Sequence, residues 1–225
     1  MATEPLEKLK VHRRAVVLDG LGYTLLSPRP GSPCRFATHH AAEAWSVVTD
    51  VSGARVLGRL IWAMAFQRHE RTVVVVDLPF LVPDPFDGAS SSPIIIVNND
   101  LDNLSPAGAV DLRAGLPFTG PSDGTVVLQT RGLDSALADR AGFEERETEA
   151  GWPWNEEQRH RIEEINGLVV VAAPAPILRR WGVGVSSLGE GISWPLSTGE
   201  VQVLADFPEP GLEEGRSEQE SRSPE

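Results

Sequence analysis

The chain has 225 residues, a net charge of −12 and 41% hydrophobic residues. That length fits one α/β domain, or one domain with an appendage, and is enough to bury a sizeable core. The acidic balance argues against nonspecific binding to nucleic acid or to an anionic membrane surface, and no basic cluster with interleaved aromatics offsets it. The one cysteine, Cys34, cannot form an intrachain disulfide, which fits a reducing compartment. The N-terminus (MATEPLEKLK) is charged and lacks the apolar segment of a secretory signal. No apolar run approaches the roughly 20 residues that span a bilayer. The expectation is a soluble, cytoplasmic protein with neither nucleic acid nor membrane among its partners.

In chain order, residues 1–12 read as a polar leader and 15–19 (AVVLD) as the first strand, followed by a loop rich in Gly and Pro. Thr38 can cap a helix through Trp45. Residues 46–50 read as a short strand or as the end of that helix. A helix is expected over 54–68, where Val56, Leu57, Leu60, Ile61, Met64 and Ala65 recur at helical spacing. Strands are expected at 72–77 (TVVVVD) and, after a loop of Pro, Gly and Ser, at 94–97. Residues 101–123 carry scattered Gly and Pro without a period and read as irregular. A strand at 126–130, a helix at 133–141 ended by Gly142, and a strand at 143–148 follow.

Trp152, Pro153 and Trp154 form a compact aromatic turn, the composition of a core staple or of an interface anchor. Asn155 caps a helix to about Ile165, with Glu156 and Glu157 in its first turn, and Asn166–Gly167 ends it. Residues 168–172 (LVVVA) are a strand. Residues 192–196 and 201–205 flank Ser197, Thr198 and Gly199 as a C-terminal hairpin. From Phe207 onward the chain is too polar and charged to offset its ordering entropy and reads as a disordered acidic tail. The expected organisation is a leader over 1–12, a single α/β domain over 13–206 and a tail over 207–225.

Five of these strands are continuous runs of Val, Ile and Leu without polar alternation. Such runs suit strands buried on both faces. The expected fold is therefore α/β, a mostly parallel central sheet flanked by helices in Rossmann-like fashion, with the hairpin appended. In open sheets of that kind ligands bind beyond the carboxyl ends of the strands. That nominates Asp19, Asp77, Asn98, Asn99 and Asp100.

The stretch VVTDVSGARVLGRLIWAMAFQRHERTVVVVD resembles the first strand–helix–strand unit of class I S-adenosylmethionine methyltransferases. GTVVLQTRGLDSALADRAGFEERE resembles that family's late strand–helix–strand, and LVVVAAP its last strand, so the likeness spans roughly 46–175. It implies a Rossmann-like fold with S-adenosylmethionine as the cofactor. Asp50 matches the acid of the family's Asp-x-Gly-x-Gly-x-Gly motif, and Asp77 its ribose-binding acid. Asn98 and Asn99 sit where residues near the transferred methyl group lie. Ser52, Ala54 and Val56 stand where the motif has glycines, and Gly53 and Gly58 are out of phase. The cofactor loop thus reads as degenerate, with Asp50, Gly53, Asp77, Asn98 and Asn99 as its remaining candidate contacts.

AVVLDGLGYTLL resembles the first motif of haloacid dehalogenase-type phosphatases, in which a strand-end Asp is the nucleophile and Mg²⁺ offsets phosphate charge. Asp19 would be that nucleophile. Leu21 replaces the motif's second Asp, Tyr23 intrudes before Thr24, and no lysine follows Lys10. Asp100 and Asp102, with Asn98, Asn99 and Asn103, form an oxygen-rich cluster of the kind hard cations accept, but these are also ordinary loop formers. His39 and His40 precede Glu43 and lack the further ligands of a zinc site. No metal site is assigned. The expected function is binding or assembly by a Rossmann-like domain, with a protein partner or a second copy of the chain as its counterpart. An active S-adenosylmethionine-dependent methyltransferase and a Mg²⁺-dependent phosphatase using Asp19 are the alternatives.

Overall fold

The computed structural model describes residues 8–42, 44–149, 160–196, 199–203 and 207. Glu43, the Trp152–Trp154 turn, the start of the helix expected from Asn155 and the tail beyond 207 lie outside the described residues.

Eleven strands and five helices follow in chain order: β1 (Lys8–Leu18), β2 (Leu21–Pro28), β3 (Phe36–Ala41), β4 (Ala44–Thr49), α1 (Val51–Ala65), β5 (Thr72–Val76), β6 (Ile94–Asn98), α2 (Pro106–Gly115), β7 (Gly124–Gln129), α3 (Leu133–Ala138), α4 (Arg140–Glu149), β8 (Arg161–Ile165), β9 (Leu168–Ala173), α5 (Ala175–Ser186), β10 (Ser193–Leu196) and β11 (Gly199–Val203). The fold is mixed α/β. A seven-stranded sheet has the order β7-β1-β2-β5-β6-β9-β8, and a four-stranded sheet the order β10-β11-β4-β3. The expected C-terminal hairpin is present as β10 and β11.

The large sheet is mixed, not mostly parallel. Only β2–β5 and β6–β9 pair parallel within it; β7–β1, β1–β2, β5–β6 and β9–β8 are antiparallel. Two dipeptides cause much of this. Asp19 and Gly20 have φ of 52° and 71°, and Asn166 and Gly167 have 53° and 74°. Positive φ at both central positions is what a two-residue type I′ turn needs, and such turns fold a chain straight back on itself. Leu18 therefore pairs with Leu21, and Ile165 with Leu168. Residues 161–165, expected at the end of a helix, are strand β8 for this reason, and Asn166–Gly167 is a hairpin turn, not a helix stop.

Other local expectations change in the same way. Residues 36–41 and 44–49 pair as the antiparallel strands β3 and β4, in place of the helix expected over 38–45. Ala37 and Val48 share one face of the pair, and His40 packs on Trp45 with ring centroids 4.8 Å apart. Residues 106–115, expected irregular, are α2. Ser105 caps it by accepting the Gly108 N–H, Pro106 occupies its first turn, and Ala109 and Leu112 are buried. Residues 143–148 are helical within α4, where Arg140 and Glu144 pair one turn apart at 2.9 Å. β1 begins at Lys8, inside the expected polar leader.

Strands β5, β6 and β9 are buried at every position. Val74, Val76, Ile94, Ile96 and Val171 face α1 and α5 in one core; Val73, Val75, Ile95, Val97 and Val170 face α2 in another. The small sheet adds Phe36, Val47, Leu196 and Val201 to the first core. β4 and β5, expected as neighbours in one strand–helix–strand unit, thus belong to different sheets, with α1 connecting them. Among the described residues, no helix is long and apolar enough to cross a membrane.

Helices α1 and α5 meet at glycines. A Cβ on Gly58 would lie 2.6 Å from the Ser186 amide nitrogen and 2.8 Å from the Gly182 carbonyl oxygen, and would collide with the Ser186 hydroxyl. Backbone cannot yield as a flexible side chain does, so Gly58→Ala should cost about 3 kcal/mol. Gly22→Ala, whose Cβ would meet nothing within 4 Å, should stay within about 0.5 kcal/mol. Urea midpoints of the two variants against the parent chain check both values.

Candidate functional site

The strand-end candidates separate once the register is known. Val76 pairs with Ile94 and Val73 with Val97, so Asp77 follows one end of the β5–β6 pair and Asn98 closes the other. Each strand rises about 3.3 Å per residue, which puts Asp77 and Asn98 over 10 Å apart along the sheet. Asp50 heads α1, which packs on the sheet face carrying Val74 and Val76. Asp77 continues the other face, that of Val73 and Val75. Asp50, Asp77 and Asn98 are therefore not brought around one cavity.

Most of these residues are engaged in holding the chain together. Asp50 caps α1, accepting the Gly53 N–H at 2.6 Å, and lies 3.7 Å from the Arg35 Nε. Gly53 is a packing glycine: a Cβ there would strike the Thr49 hydroxyl and lie 3.1 Å from the Arg35 carbonyl oxygen. Asn98 is buried, donates to the Met64 carbonyl oxygen at 3.0 Å and accepts the Asp100 N–H at 3.1 Å, which ties the end of α1 to β6. Asn99 donates its backbone N–H to the Ala173 carbonyl oxygen at 3.1 Å. Asp100 accepts the Ala175 N–H at 2.9 Å at the start of α5. Asp19, in its hairpin turn, accepts from the Ser105 hydroxyl at 2.9 Å and so steadies the cap of α2.

The helix expectation had His39 beside Glu43; in the structure it meets Asp84 instead. Its Nδ1 lies 2.6 Å from an Asp84 oxygen, and the other Asp84 oxygen accepts the Phe86 N–H at 2.9 Å. Asp87 brings a third oxygen into the group, all three ligand atoms falling within 4.8 Å of one another. Asp84 is buried with both oxygens engaged, and it organises the loop that follows β5.

Asp77 differs. One of its carboxylate oxygens is buried with no hydrogen-bond partner among the described residues. Burial pushes its carboxyl above the usual range, while the Leu78 backbone N–H and the Arg113 charge on α2 pull it back down. It lines a cleft of about 80 Å³ together with His12, Arg14, Ser27, Phe80 and Phe118. The strand alternation explains the company. His12 of β1 pairs with Ser27 of β2, β2 runs parallel beside β5, and all project on the face of Val75. Sequence reading nominated Asp77 but passed over His12, Arg14 and Ser27. Their signal is the polar alternation HRR and LLSP within β1 and β2, visible only when both segments are read as strands.

The arrangement can hold a small polar molecule against a half-buried carboxylate. Cys34 offers no comparable chemistry. Burial, then the Asp50 carboxylate, push its thiol up to about 12. On the order of one molecule in 10⁴ carries a thiolate at pH 8, so iodoacetamide should leave Cys34 unmodified in the native chain and label it after unfolding, as intact mass would read.

An unpaired buried carboxylate costs stability in its charged form. Because the folded-state value of Asp77 is raised, its cost is absent below about pH 3.9, the unfolded value, and grows as pH rises through the folded value. Asp77→Asn should therefore raise the melting temperature at pH 7, by about 2–4 °C for about 1 kcal/mol, and should leave it unchanged near pH 3. A thermal melt of both chains at the two pH values tests the sign. No family model, curated protein or solved structure matches this chain.

Proposed function

We propose that this chain is a binding or assembly protein with a degenerate cofactor loop, and that its ligand is a small polar molecule held at Asp77. The carrying observation is that Asp77 lines the cleft and has one buried oxygen without a hydrogen-bond partner among the described residues. Buried polar atoms are bonded in the great majority of cases, and one left open at a cleft wall suits a ligand's donor. The Rossmann-like part of the reading has only the order β4, α1, β5 along the chain in its support, with Asp50 before the helix and Asp77 after the second strand, the two strands lying in different sheets. Binding without methyl transfer is favoured because Gly53 is packed against Thr49 and Arg35, leaving no cradle for a cofactor, and because Asn98 is spent on Met64. The charge of −12 and the buried lone cysteine fit a soluble protein of the cytoplasm.

Calorimetric titration with S-adenosylmethionine should give no saturable heat. Tight binding of that cofactor, abolished by Asp77→Ala, would overturn the degenerate reading in favour of a working transferase.

A further inference from the structure

The cleft carries charges of opposite sign on opposite walls. Asp77 stands beyond the end of β5. His12 and Arg14 project from β1, and β2 lies between, contributing Ser27. The register sets His12 two residues and Arg14 four residues along the sheet from the level of Asp77, so their backbones lie about 12 Å and about 16 Å from it across β2. Among the described residues neither charge is in an ion pair, although the Arg113 charge on α2 acts on Asp77 from outside the lining of the cleft. The Arg14 guanidinium donates to the Gly120 and Pro121 carbonyl oxygens and lies over the Phe118 ring, 5.4 Å from its centroid. Those partners fix its position but carry no formal charge, so its positive charge stays at the wall.

A ligand with one sign of charge would satisfy one wall and meet repulsion at the other. A short molecule with an ammonium at one end and a carboxylate at the other matches both. From this we infer that the cleft binds a small zwitterion of the amino-acid type, its ammonium on Asp77 and its carboxylate on Arg14 and His12. The inference rests on the reading of the Asp77 cleft as a ligand site. Charge-assisted hydrogen bonds at both ends give it affinity.

The full chain can be titrated with glycine, β-alanine, γ-aminobutyrate and 5-aminovalerate, and with alkylamines and carboxylates of matching length, followed by amide shifts in NMR. At one chain length the zwitterion should bind at least about tenfold tighter than the amine or the acid alone, moving the Ser27, Val75 and Asp77 amides. Asp77→Asn should remove the advantage over the acid, and His12→Gln or Arg14→Gln should reduce the advantage over the amine. Amines or acids that shift the same amides as strongly as the zwitterions would overturn the inference while leaving the cleft a ligand site. If none of the probes moves those amides but other small polar fragments do, the zwitterion falls and the cleft stands. If nothing moves them, both fall.

Discussion

Everything in this fold depends on covering both faces of β5, β6 and β9. Apart from Thr72 and Asn98 at two strand ends, their side chains are all Val, Ile, Leu or Ala with no polar face to show to water, and each large one contributes about 1.5–3 kcal/mol only if helices close over it. α1 and α5 close one side and α2 the other. Two helices can share one side only by approaching closely, which is why Gly58 faces Gly182 and Ser186 across their interface. Fixing those helices fixes the loops at their ends, including the one after α2 that supplies Phe118 and the carbonyls holding Arg14.

Strand direction then divides the candidate residues. Because β5 and β6 run antiparallel, the polar ends of two similar sequences, TVVVVD and IIIVNN, emerge at opposite ends of the sheet. At the β6 end, Asn98 secures α1 and Asp100 meets the start of α5. Polar groups there are consumed by helix termini, whose unpaired N–H and C=O groups need partners. At the β5 end the chain turns away through Leu78 and Pro79, and no helix begins or ends on Asp77. The carboxylate that the architecture does not use is the one left to face the cleft.

Three of the five continuous runs, those of β5, β6 and β9, are strands covered on both faces, but the runs in β1 and β7 are not: Val17 and Val127 are exposed, because β7 is an edge strand and β1 lies next to it. Continuity does not report direction, and reading it as direction produced the mostly parallel expectation. Direction lay in Asp19–Gly20 and Asn166–Gly167, which as a hairpin turn and as a strand end or helix stop look alike until the flanking segments are known. The same two turns dock α2: Asp19 accepts from Ser105, and Asn166 donates to the Pro106 carbonyl oxygen at 3.1 Å. Treating Asp19 as a catalytic candidate and 101–123 as irregular were thus two sides of one missed contact. Residues 143–148, expected as a strand, are helical in α4, where Arg140 and Glu144 pair one turn apart.

The site was legible only in part because pairing partners are set by register, which no local pattern encodes. Asp77 could be named from its place after a buried strand. That His12 and Arg14 would stand across from it follows from the β1–β2 hairpin, whose turn lies at Asp19–Gly20 and whose far end reaches the cleft. A hairpin with that turn aligns His12 with Ser27 automatically, and the period-two alternation sends both to the face of Asp77. Slipping β1 by one residue against β2 would turn His12 and Arg14 to the α1 side, leaving Ser27 and Asp77 on theirs. The charged cleft is therefore a consequence of one two-residue turn, formed at a distance from the residues it assembles.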